Sequence, residues 1–87
     1  MQAIFRFNGS EEIVVSSQVG NVLLEVIESR AATEQDKAMI DGTDLRDSTS
    51  PYIDASGYYR HTKAIIPFSK SGARSVASAL MQAAAEL

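Results

Sequence analysis

From Tyr58 onward the residue period changes once, and no other feature constrains the fold of this chain as much. Tyr58–Phe68 reads YYRHTKAIIPF, aromatic and β-branched residues interleaved with polar ones, the pattern of a strand. Pro67 has no N–H to give to a ladder, so the end of this strand belongs at a sheet edge. Ser69-Lys70-Ser71-Gly72 then turns the chain. Beyond it Ala73, Val76, Ala77, Leu80, Met81 and Ala84 recur at helical spacing, with Arg74, Ser75, Ser78 and Gln82 on the other side, which predicts an amphipathic helix over about 71–86. A strand feeding an amphipathic helix in so short a chain points to a helix laid on a sheet.

The N-terminal half supplies the rest of that sheet. Gln2–Phe7 and Glu12–Ser16 are β-forming runs on either side of Asn8-Gly9-Ser10, and Asn and Gly tolerate the backbone of a tight turn, so a hairpin is expected. Val19, Val22, Leu23, Val26 and Ile27 fall at i, i+3, i+4, i+7 and i+8, which predicts a helix over about 18–32 capped by Ser17, at some cost from Gly20. Thr33 and Asp36 have capping-box spacing and open a further helical turn, and a short strand is expected near 37–40. Residues 41–57, DGTDLRDSTSPYIDASG, form a long turn-rich connection. The expected fold is a single α+β domain over residues 1–87. It has two layers: a small antiparallel sheet, from the hairpin and the strand at 58–68, packed against two amphipathic helices at 18–32 and 71–86.

With 87 residues there is room for one core, burying about two-thirds of the surface that the unfolded chain exposes. The chain has no cysteine, so neither a disulfide framework nor a thiolate can reinforce it, and association into a homodimer or higher homo-oligomer is the expected substitute. At 45% apolar and 22% charged residues the composition is that of an ordinary globular protein, and no apolar run approaches the ~20 residues of a membrane helix. Arg6 interrupts the first apolar run and speaks against a secretory signal, so a cytoplasmic location without membrane contact is expected.

The net charge of -3 does not favour general binding to duplex DNA. Its distribution is uneven, -5 over residues 1–44 and +2 over residues 45–87. No P-loop, GxGxxG or GxSxG signature occurs, so no cofactor and no catalytic assignment is expected. His61 is the sole histidine, and Asp41, Asp44, Asp47 and Asp54 lack EF-hand spacing, so no metal site is expected either.

Four of the five basic residues in the positive half, two adjacent tyrosines and the histidine lie between Tyr58 and Arg74. Alternation puts Tyr59, His61 and Lys63 on one face of the strand and Tyr58, Arg60 and Thr62 on the other. Rings beside cations suit a base and its phosphate, and Ser69, Lys70, Ser71 and Arg74 surround a helix N-terminus, where unpaired N–H groups favour an anion. The same residues also serve ordinary ends, Ser69 or Ser71 as an N-cap and Arg60 or Lys63 as guards of a sheet edge. The expected function is recognition or sequestration of an anionic, nucleotide-like or phosphorylated ligand by a non-enzymatic protein, through Tyr58, Tyr59, Arg60, His61, Lys63, Ser69, Lys70, Ser71 and Arg74. One alternative is an inhibitor or adaptor that docks on a larger protein partner, as small phage proteins that block bacterial defences do. The other is a metal-independent RNase using His61, Arg60, Lys63 and a tyrosine.

Overall fold

The computed structural model describes residues 1–42, 47 and 49–87. β1 (Gln2–Arg6) and β2 (Glu11–Gln18) form the expected antiparallel hairpin, with Ile4 opposite Val14 and Arg6 opposite Glu12. Asn8 builds the turn, its Oδ1 accepting the Ser10 N–H at 2.9 Å.

The expected helix over 18–32 is not formed. Residues Asn21–Ala31 are instead β3, an eleven-residue strand paired along its whole length. Val22, Leu23, Leu24, Val26 and Ile27 satisfy a period of 2 as readily as one of 3.6, and tertiary pairing decides between them. Gly20 shows why the strand wins. At φ 83° it completes a two-residue turn with Val19, leaving Gln18 opposite Asn21 in register. Ser17, expected as an N-cap, sits in the ladder opposite Val22 and donates its N–H to the Met1 carbonyl.

The first helix lies further on. α1 (Glu34–Asp41) carries the complete capping box, with Thr33 Oγ1 accepting the Asp36 N–H and the Asp36 carboxylate accepting the Thr33 N–H at 2.8 Å. The strand expected near 37–40 is part of this helix, because the cap commits the following residues to helical dihedrals.

Within the turn-rich connection a two-residue strand, β4 (Tyr52–Ile53), pairs with β5 (Tyr58–Phe68), which runs into α2 (Lys70–Ala85). Ser69 is the N-cap of α2, accepting the Gly72 N–H at 3.1 Å. The sheet order is β1-β2-β3-β5-β4, antiparallel throughout, so the fold is α+β, with five strands and two helices among the described residues. β4 reaches only Arg60 and Tyr59, so Pro67 lies on an edge with no strand partner among the described residues.

A bulge separates the two halves of β5. Val26 faces Ala64 but Ile27 faces Thr62, leaving Lys63 extra. As a result Tyr59 and His61 share the front face with Ala64, Ile66 and Phe68, and with Glu28, Arg30, Val26, Leu24 and Val22 of β3. α2 packs over the apolar end of this face, against β3 and β5. The molecule is a slab of 44 × 32 × 17 Å in which Val14 and Tyr59 are the buried apolar residues among those described.

Candidate functional site

The predicted site residues divide into three groups. Tyr59 and His61 lie at the polar end of the front face, with ring centroids 6.3 Å apart and edge to face. The Arg30 guanidinium sits 4.3 Å from the centre of the Tyr59 ring, and burial pushes the Tyr59 phenol above its usual pKa. Arg30 is held in turn by Asp36, whose two carboxylate oxygens accept at 2.6 and 3.0 Å. Lys63 reaches from the bulge to Glu11 at 2.9 Å, which raises the lysine pKa and lowers that of the carboxylate.

Arg60 and Tyr58 lie on the back face, as alternation predicts. Ser29 is fully buried there, and its Oγ accepts from Arg6 at 3.2 Å and from Arg60 at 3.1 Å. Glu12 takes the same two arginines, one on each oxygen, at 3.0 and 3.4 Å. Burial opposes the charge on Arg60, but hydrogen bonds to Glu12 and Tyr52 outweigh it and hold its pKa above the ordinary value. The sheet therefore separates Arg60 from His61 and Lys63, and the constellation sketched for an RNase does not meet on one face.

Ser69, Lys70, Ser71 and Arg74 form the third group, roughly 30 Å from Tyr59 at strand rise. Ser69 Oγ and Ser71 Oγ are 3.3 Å apart, with the first spent on capping Gly72. Of the aspartates weighed for a cation, Asp47 and Asp54 cap turns. Asp47 accepts the Thr49 N–H at 2.8 Å and Asp54 accepts the Ser56 N–H at 2.9 Å. Asp44 lies outside the described residues, as does most of the 43–48 segment of the long connection.

Sequence reasoning found Asp36 as a capping residue but missed its bond to Arg30, and it missed Arg6, Glu12, Ser29 and Arg30, because each acquires its partner only through the fold. It also left unpaired what α2 does. Between α2 and the sheet runs an open apolar cleft of about 290 Å³, walled on the sheet side by Val15, Val22, Leu24 and Phe68. Ala73, Val76, Ala77 and Leu80 form the helix side, yet Leu80 is 65% exposed and no residue of α2 is buried.

The Asp36 carboxylate gives the site a pH dependence. Its hydrogen bonds from Arg30 and then from Thr33 hold its pKa well below the usual carboxylate range. Because the folded pKa is depressed, its contribution is complete above pH ~4, the unfolded value, and is lost as pH falls further. Thermal unfolding followed from pH 7 to pH 2 is expected to show a falling midpoint below pH ~4, and Asp36→Asn should flatten that fall. A profile equally steep in the variant would place the acid sensitivity elsewhere.

No known protein family matches this chain, nor does any curated protein or solved structure match it.

Proposed function

We propose that this chain is a non-enzymatic docking protein that works by burying the α2 cleft and its surroundings against another protein surface. The observation that carries this reading is α2 itself, a sixteen-residue helix whose apolar stripe faces an open apolar cleft and buries none of its side chains. An apolar surface of this kind marks an association site in a small domain. The basic groups of β5 support the same choice. Lys63 is paired with Glu11, and Arg60 shares Glu12 with Arg6, so a phosphate would have to compete with a carboxylate for either.

Oxidative footprinting of methionines tests it. In a single copy of the chain Met81 is 75% exposed and Met1 81%, so at dilutions that keep the chain monomeric the two should oxidise at comparable rates. In cells, docking is expected to protect Met81 several-fold relative to Met1, and equal rates would sink the reading.

A second reading keeps anion recognition within Tyr58–Arg74 and rests on Lys70 and Arg74, which have no ion-pair partner among the described residues. Calorimetric titration with a panel of nucleotides, alongside Lys70→Ala and Arg74→Ala, decides it. Heat that either variant removes supports this reading, and no heat for any anion excludes it.

A further inference from the structure

We infer that the surface left open by α2 is covered by a second copy of this chain, with the two α2 helices antiparallel about a twofold axis near Ala77. This rests on the docking reading above and names the occupant.

Area is the first argument. The chain exposes 6307 Å², whereas a compact monomer of its 9.4 kDa mass exposes about 5,000 Å². The excess, about 1,300 Å², exceeds the ~800 Å² that each partner contributes to a standard stable interface. The Cα radius of gyration agrees, at 15.8 Å against about 12 Å for a compact domain of this length.

The second argument is dependence. Val14 and Tyr59 make a very small buried core among the described residues, and Ile66, Val76, Leu80 and Met81 are 39–75% exposed, so the apolar surface around α2 needs cover whenever the chain is folded. A second copy is the one partner present wherever the chain is made, and a partner that binds only the folded form stabilises it by mass action.

Charge sets the orientation. The charged residues of α2 are Lys70 and Arg74, both at its positive N-terminal end, where the helix dipole disfavours them, and Glu86 is the C-cap. An antiparallel twin brings its C-terminal carbonyls and Glu86 alongside these cations, at both ends at once. A parallel twin sets like charge against like. Ala73, Ala77 and Ala84 let the two helices approach to about 8 Å, while the exposed parts of Leu80 and Met81 of each copy cover the open side of the other's cleft.

The absence of cysteine makes the test clean. Light scattering is expected to give about 19 kDa, twice 9.4 kDa. Under mild oxidation Ala77→Cys should cross-link to itself and Ala73→Cys should not, whereas a mixture of Ala73→Cys and Met81→Cys should cross-link between the two. Self-linking of Ala73→Cys overturns the antiparallel arrangement. Leu80→Arg should weaken the pair by about 100-fold or more, and Gln82→Arg, on the opposite side of α2, should leave it unchanged. If Leu80→Arg fails to fold, the cysteine pattern still decides. A mass of 9.4 kDa with Met81 protected in cells means that another protein sits on α2, so this inference falls and the docking reading stands. The same mass with Met81 unprotected removes both.

Discussion

Tyr59→Ala is expected to lower the free energy of unfolding by about 3–5 kcal/mol, the usual cost of deleting a buried aromatic side chain. Tyr59 is 6% exposed and closes the polar end of the front face, with Arg30 stacked over its ring and His61 at its edge. Removing the ring strips Arg30 of its cation–π contact while leaving it tied to Asp36, so the Arg30–Asp36 link between β3 and α1 loses the ring it rests on. Tyr59→Phe keeps the ring and should stay within about 0.5 kcal/mol. Urea unfolding at one fixed protein concentration measures both, since self-association would otherwise move the midpoint. An alanine cost under about 1 kcal/mol would mean that the front face is not organised around this ring.

Glu12→Ala is expected to cost about 2–3 kcal/mol, because it removes the acceptor shared by two charged donors and leaves their guanidiniums facing each other across Ser29. The effect should not be additive. With Arg60 also replaced by alanine, one of the opposed charges is gone, and the double variant should lose at least about 0.5 kcal/mol less than the two single losses combined. Strict additivity would show that the arginines act independently of the carboxylate. The arrangement ties β1, β2, β3 and β5 together through side chains on the back face.

How far the fold was legible depended on whether a signal was local. Asn8-Gly9, the Thr33–Asp36 cap and the change of period after Phe68 each specify structure within a few residues, and the hairpin, α1 and α2 follow them. Residues 18–32 carry no such signal except Gly20, next to Asn21, which marks a turn once the run beyond it is taken as a strand. Leu24 and Glu25 are neutral between the two periods, and the choice is made by β2 and β5, which give every residue from Val22 to Ala31 a partner on at least one side. The predicted site was legible in composition but not in geometry. Alternation correctly parted Arg60 from His61, yet the carboxylates that bind Arg60 and Lys63 come from β2, 48 and 52 residues away in sequence, and only the register of the sheet brings them near. The open flank of α2 was equally invisible, because an apolar stripe states what a helix wants to bury and says nothing of whether its own sheet is wide enough to bury it.

The bulge at Lys63 has an evolutionary consequence. One supernumerary residue lets β5 place its polar head, Tyr59 and His61, and its apolar tail, Ala64, Ile66 and Phe68, on the same side of the sheet. Deleting it would turn one half over relative to the other, delivering Ile65 and Pro67 to α2 in place of Ile66 and Phe68. Relatives of this chain should therefore tolerate insertions and deletions in the connection before β4 far more freely than within β5, where a change of a single residue exchanges inside for outside and only paired changes preserve both ends.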